Sequence, residues 1–429
     1  MKTILSIAAM LILALGSIRL ADAQTYSVIY SFTGGQDGAN PQAGVTLDQV
    51  GNLYGTAARG GSLAGNCSTL GAFGGTNTYG CGTVFELKRE NSGWLFNPLY
   101  TFHFNDGALP LARVVFGPDG LLYGTTSLGG TTNLGETTGP EYAGNCETLN
   151  WLGCGVIFSL QPPATFCRSV LCPWSETLLY EFGTGAGNGK WPNRGDVIFD
   201  PSGNAYVANI LGDYEFSPSD GWTVTDLYNL VWIWQFYFQT PSGSVIMDPA
   251  GNLYGTAQSG PYGAGGGAYE LTPSYPQWNF TYLFVNNLGG STEGSLVRDS
   301  AGNLYGTTDG GGDNGGGIVY EVSPSNGGWT SSVLYNFSGN FGSYAVMVMD
   351  AAGNLYGTTV GDGAYGEGNV FELSPSNGGW TYTSLYDFTG GSDGGAPYGQ
   401  VTLDASGNLY GTATIGGANN AGVVWEITP

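Results

Sequence analysis

The residues that could do chemistry are few and unevenly placed. The densest aromatic stretch is Val231-Trp232-Ile233-Trp234-Gln235-Phe236-Tyr237-Phe238. Exposed aromatic rings stack on sugars or anchor protein contacts. Trp232, Trp234 and Tyr237 are therefore candidate ligand contacts, and Trp151 and Trp191 are expected on loops of the same side. The bland reading is an extended strand packing its neighbour, because aromatic runs are more often core than platform. Arg113, Arg194 and Arg298 stand out in a chain with 10 basic and 33 acidic residues. A guanidinium holds a carboxylate through paired hydrogen bonds, so an anionic group such as a uronate is what these arginines would take. Pairing with nearby carboxylates is the structural alternative.

Catalytic equipment is thin. His103 is the one histidine, between Phe102 and Phe104 and near Asp106. No Gly-x-Ser-x-Gly elbow on a helix, His-Glu-x-x-His pair or phosphate loop occurs. Asp37, Asp106 and Asp393 precede glycine in loops, and Asp309, Asp313, Asp362 and Glu367 lie in Gly-rich segments. A glycosidase needs only two carboxylates at a suitable separation, so a hydrolase or lyase stays open. Calcium takes six or more oxygens, and no loop supplies a dense carboxylate series. Neither metal nor cofactor is expected.

Six cysteines cluster in the first half: Cys67, Cys81, Cys146, Cys154, Cys167 and Cys172. An even count in an exported chain favours disulfides. Six cysteines permit 15 pairings; locality selects Cys67–Cys81, Cys146–Cys154 and Cys167–Cys172. The spacing for a zinc site is missing.

These residues ride on a repeat. Gly-Asn-Leu-Tyr-Gly-Thr starts at Gly51, Gly251, Gly302, Gly353 and Gly407, with variants at Gly120 and Gly203. Each copy has four strand-like segments. One ends in Asp, as at Asp48, Asp200, Asp248, Asp299, Asp350 and Asp404. The second is Leu-Tyr-Gly-Thr, and the third resembles Val370-Phe371-Glu372-Leu373. The fourth carries a Trp and an aromatic six residues on: Trp94/Tyr100, Trp174/Tyr180, Trp222/Tyr228, Trp278/Phe284, Trp329/Tyr335 and Trp380/Tyr386. Even spacing puts both rings on one face of a strand. Four strands in about 50 residues make a propeller blade, so the spacing predicts an all-β, seven-bladed propeller of antiparallel four-stranded blades. The seventh copy lacks its Trp strand, and Tyr26–Phe32 matches Tyr382–Phe388. The N-terminal segment is thus expected to complete the last blade and close the ring. In such a ring the outer-to-inner loops share a face with the second-to-third loops, so the insertions 57–82 and 126–155 rise over blades one and two.

Residues 1–23 read as a secretory signal: Met1-Lys2, an apolar run from Ile4 to Ile18, then Ala21-Asp22-Ala23 before a cut at Gln24. Residues 24–429 form one domain. With 76 Gly but no Gly-X-Y period, collagen is excluded, and 14% aromatic residues argue against disorder. A formal net charge of −23 makes nucleic acid a poor partner. No other apolar stretch is long enough to span a bilayer.

The combined motif resembles the GloVer tandem repeat of exported bacterial proteins. The match rests on Asp-x-x-Gly-Asn-Leu-Tyr-Gly-Thr, Val-Phe-Glu-Leu-x-Pro and Leu385–Gly394. The third copy departs most, at Ala205, Val207 and Phe216-Ser217. The resemblance implies export and a propeller, and it carries no catalytic residues to transfer. The favoured reading is a non-catalytic, secreted or periplasmic monomer that binds an extracellular glycan or surface protein through its long-loop face. A polysaccharide hydrolase or lyase, and a structural matrix protein, are the alternatives.

Overall fold

A computed structural model describes residues 24–429 except 69, 71–78, 92, 131–152, 164–172, 184–191, 193, 210–211, 230–240, 260–264, 276, 286–289, 340–341 and 345. Among the described residues, seven four-stranded antiparallel sheets are formed. In blade six the inner strand is Val348–Met349, the second Leu355–Thr359, the third Asn369–Ser376 and the outer Gly379–Asp387. Blades one to five repeat this order. Blade seven takes its outer strand, Thr25–Ser31, from the other end of the chain, paired with Val423–Thr428 from Thr25↔Thr428 to Ser31↔Val423. The expected closure is therefore present, and the edge strands that remain are short and protected within the ring.

The repeated residues each have a local task. Asp48 Oδ1 accepts from the amides of Val50 and Asn52, and its Oδ2 accepts from Asn52 Nδ2 and the Tyr54 hydroxyl. The same set recurs at Asp248, Asp299, Asp350 and Asp404. Burial works against ionisation there, but these donors outweigh it and hold the four carboxyls below the usual range. The Asp is turn chemistry. The glycine of Leu-Tyr-Gly-Thr has a different cause. A Cβ on Gly55 would lie 2.5 Å from the Phe85 ring, and one on Gly411 would lie 2.3 Å from Trp425. The third-strand aromatic lies flat over the glycine in the sheet.

The core is divided among the gaps between blades. Val45, Val114, Val197, Val245, Leu296, Met347 and Val401, three places before each turn Asp or its equivalent, are all buried. Across six of the seven gaps the outer-strand Trp of one blade meets the second-strand Tyr of the blade before it, as Trp380 meets Tyr305 with centroids 6.0 Å apart. Blade three departs from the pattern. Val207 stands where other copies have glycine and pairs with Tyr214. Asp213 takes a place that is Val84 in blade one and Val370 in blade six, and it is buried. The Tyr269 hydroxyl of blade four donates to it at 2.7 Å. Burial, with Asp226 adding and that hydroxyl opposing, pushes its carboxyl up to about 7.

The cysteine pairing holds where it is described. Cys67–Cys81 is a disulfide closing a loop of sequence separation 14. Cys154 is also disulfide-bonded. Cys146, Cys167 and Cys172 lie outside the described residues.

Candidate functional site

The segments that lead into the inner strands build the centre of the ring. Residues three places before the turn Asp are buried in the core, whereas residues at four and six places line the central cavity. The outermost tier is Gln42, Leu111, Arg194, Ser242, Glu293, Tyr344 and Tyr398, and the next is Gly44, Arg113, Asp196, Ser244, Ser295, Val346 and Gln400. Members of these tiers from six blades, with Gly243 of blade four, line one narrow cavity of about 30 Å³. That is room for a water or two, not for a sugar ring.

The inner of these tiers is locked by neighbours. Arg113 grips Asp196 of the next blade through Nε at 2.9 Å and Nη2 at 2.6 Å, and its amide donates to Asp196 Oδ1 at 3.0 Å. The Asp196 amide donates to Ser244 Oγ at 2.6 Å, and the Ser244 amide donates to Ser295 Oγ. Four blades are thus linked in series. Arg113 serves the pairing role allowed for it, not the open anion site.

The outermost tier is more open. Arg194 Nη1 lies 3.7 Å from Glu293 Oε2, with side chains 25% and 20% exposed. That nitrogen is buried and has no hydrogen-bond partner among the described residues. The guanidinium also lies over two rings, Tyr398 at 4.8 Å and Tyr344 at 5.5 Å. The rings are themselves 5.4 Å apart and tilted. Burial raises the Glu293 carboxyl; Arg194 opposes this and Asp309 adds to it. Burial, then Asp309 and Glu293, pushes Tyr344 up to about 12, so its hydroxyl remains a donor. The arrangement is a cation with one spare donor, walled by two aromatic rings and lightly countered by one carboxylate.

This mouth opens on the long-loop side. The Leu109 amide, on the outer-to-inner connection, donates to Cys81 O in the blade-one insertion at 3.0 Å. The disulfide-closed insertion therefore sits on the face where the channel tier begins.

Other sequence candidates lie elsewhere. Arg298 ends its inner strand, Val297–Arg298, one residue before the Asp299 turn and past the cavity-lining Glu293, with Nε buried and without a hydrogen-bond partner among the described residues. It is not part of the cluster around Arg194. His103 is in a turn whose Asp106 accepts from the Tyr100 hydroxyl at 2.7 Å and the His103 amide at 2.7 Å. Asp37 and Asp393 do the same for Tyr30 and Thr33, and for Tyr386 and Thr389. His103 thus takes a threonine's place in a structural turn, with its side chain 62% exposed. Trp151, Trp191, Trp232, Trp234 and Tyr237 lie outside the described residues. Among the described residues, no group of three or more His, Cys, Asp or Glu is placed to hold a metal ion. No helix there is long and apolar enough to cross a membrane.

Glu293, Tyr344 and Tyr398 escape a search for motifs. They share a fixed offset before the recurring Asp, at a position where the copies disagree. Residues repeated around the ring are structural, so variation at one offset is the usable signal.

Residues 240–429 match the family model of the Gloeobacter/Verrucomicrobia repeat. Over those residues the chain is similar to that repeat. No curated protein matches it in sequence. Among solved structures it is similar to the extracellular domain of a putative one component system from B. thetaiotaomicron, with TM-score 0.53 and 11% identity over 94% of this chain and 40% of that one. The surface component PorZ of the type-IX secretion system of Porphyromonas gingivalis gives TM-score 0.49 and 15% identity over 91% of this chain and 46% of that one. A gluconolactonase from Xanthomonas campestris gives TM-score 0.38 and 13% identity over 59% of this chain and 75% of that one. At these identities the first likeness speaks for the fold of the repeat protein alone, and the other two carry no argument.

Proposed function

We propose that this repeat protein is an exported, non-catalytic recognition module for an extracellular anionic glycan. The carrying observation is Arg194, whose buried Nη1 makes no hydrogen bond among the described residues, with two tyrosine rings beside it at the channel mouth. A carboxylate on a sugar would displace Glu293 as the guanidinium's partner. The sugar ring would rest against Tyr344 and Tyr398, because the cavity of about 30 Å³ beneath them admits no ring. The disulfide Cys67–Cys81 supports residence outside the cytoplasm, after removal of residues 1–23 at Gln24.

The test is a panel of neutral and uronate-containing polysaccharides, scored on the same samples for binding and for release of reducing or unsaturated ends. Binding restricted to uronate polymers, without release, is expected. Release of new ends would overturn the non-catalytic reading, and equal binding of neutral and anionic polymers would overturn the role of Arg194.

A further inference from the structure

Two apolar positions recur at the seams between blades, and two seams break the pattern with a carboxyl. The first position is an outer-strand ring under a tyrosine of the blade before it. Phe96 lies under Tyr30 with centroids 4.3 Å apart, Phe280 under Tyr228 at 4.8 Å, Tyr382 under Tyr335 at 4.2 Å and Tyr26 under Tyr386 at 3.7 Å. Register aligns the four rings: Phe96 pairs with Leu87, Phe280 with Leu271, Tyr382 with Leu373 and Tyr26 with Ile427. In blade two the residue so placed, opposite Leu160, is Glu176. The second position is on the third strand, opposite the outer-strand Tyr or Phe. It is Val84, Ile157, Ala268, Val319, Val370 and Val424 in six blades. In blade three it is Asp213, opposite Tyr228.

Both carboxyls are held inside these seams. Glu176 follows Trp174 by two residues, and Trp174 meets Tyr54 of blade one, so the pleat turns both toward that blade. Its Oε1 is buried and has no hydrogen-bond partner among the described residues. Tyr100 and Asp106 of blade one face it, with His103 Nδ1 3.5 Å from Asp106. Asp213 is buried, its Oδ2 accepts from Tyr269 of blade four at 2.7 Å, and its Oδ1 has no partner among the described residues. Its other titratable neighbours are Tyr282 beside Tyr269, and Asp226 and Tyr228 on the outer strand of its own blade. Such places hold a carboxyl only while it is neutral. Burial pushes both up to about 7; Asp106 adds at Glu176, while at Asp213 the Tyr269 hydroxyl opposes and Asp226 adds.

The two seams bracket blades two and three. Those blades are tied to each other by Arg113 on Asp196 and by a shared core of Ile157, Phe182, Val207, Tyr214 and Phe216. We propose that blades two and three are a pH-operated section of the ring: above neutral pH the seams on both sides of them part at the rim, and the pair moves as one body. Ionisation puts a charge where the repeat places a ring or an aliphatic chain, and water solvates it once the blades part. A carboxyl raised in the closed form favours closure below its raised value and opposes closure above it, by about tenfold per pH unit. The axis is the hinge, because its links carry no titrating side chain. There the Thr56 hydroxyl donates to Ala112 O at 3.0 Å, and the Asp196 amide donates to Ser244 Oγ at 2.6 Å. This device does not depend on the glycan reading.

Hydrogen exchange read by mass spectrometry at pH 6 and pH 9 tests this, with each rate divided by that of the unstructured peptide. Protection of Gly93–Thr101 and Ser175–Glu181 at one seam, and of Thr223–Asn229 and Asn279–Val285 at the other, should fall at least about tenfold at pH 9. Ile318–Ser325 and Asn369–Ser376, in blades five and six, should keep theirs. Asp213→Asn alone, or Glu176→Gln alone, should lessen the fall at both seams, because the two part together. Where Asp213→Asn does not fold by circular dichroism, Tyr269→Phe takes its place. It supplies the ring that Phe85, Phe158 and Phe371 supply elsewhere, removes the donor that favours the carboxylate, and should move the onset to higher pH. An equal fall in all blades, no fall at either seam, or a fall that the variants leave unchanged overturns the proposal. A fall at one seam only, or a variant that acts at its own seam only, overturns the movement as one body.

Discussion

Arg194 of blade three lies 4.8 Å over the ring of Tyr398 of blade seven, so residues 204 positions apart in sequence share one wall of the channel mouth. Replacing Arg194 by Ala should weaken binding of a uronate polymer by at least about tenfold, the scale of one charge-assisted contact. Arg194→Lys should restore little of it, since a lysine lacks the planar fork. The thermal midpoint should stay near wild type in both. Affinity electrophoresis with a melting curve separates the two effects.

Arg113 should behave in the opposite way. Its partner Asp196 is nearly buried, and removing one member of such a pair leaves an uncompensated charge. Arg113→Met should cost about 3–5 kcal/mol of stability, read from urea unfolding. Binding per folded molecule should not change.

Glu293 competes with any anion for Arg194. Its carboxyl is raised by burial, with Asp309 adding and Arg194 opposing. As pH falls through that raised value, Glu293 takes a proton and its hold on Arg194 weakens, while a uronate stays ionised. Affinity for the uronate polymer should therefore rise on acidification from pH 8 to pH 5. Glu293→Gln should bind tightly and almost equally across that range. A dissociation constant followed against pH for both proteins decides this.

Asp213 gives the fold its own pH dependence. Its folded carboxyl is pushed up to about 7, against about 3.9 for a free Asp. The folded form therefore holds the proton more tightly. The stability this contributes is present below about pH 4 and is lost as pH rises through about 7. Asp213→Asn keeps an acceptor for the Tyr269 hydroxyl and removes the titration. Its midpoint should change less between pH 5 and pH 8 than that of the wild type, as differential scanning calorimetry would show.

The Cys67–Cys81 link closes a loop of separation 14. The double substitution Cys67→Ala with Cys81→Ala should lower stability by about 3 kcal/mol through the unfolded state. The remaining blades need not change, so strand content by circular dichroism should persist below the lowered midpoint.

What was legible in the sequence follows from what repeats. Six copies of Trp with an aromatic six residues later, and the turn Asp, specify strands because each copy solves the same local packing problem. The match of Tyr26–Phe32 to Tyr382–Phe388 foretold the pairing of Thr25–Ser31 with Val423–Thr428. Cys67 and Cys81 paired as locality suggested. The channel tier was only half legible: Arg113 and Arg194 were picked out as scarce cations. Their partners were not, because Asp196 and Glu293 come from other blades, 83 and 99 positions on. No local spacing encodes such a meeting. Arg298 was grouped with them on composition, yet the chain carries it past the cavity to the Asp299 turn.

Ring closure also sets an order of events. In a chain that emerges from its N-terminus, Thr25–Ser31 comes out early and its partner strand Val423–Thr428 comes out last. The early strand has no mate until nearly the whole chain has followed it. Six blades can assemble as they emerge, but the clasp cannot fasten before the end arrives. Until that moment the ring stays open beside Val423–Thr428, and afterwards neither end can peel away without breaking the same ladder.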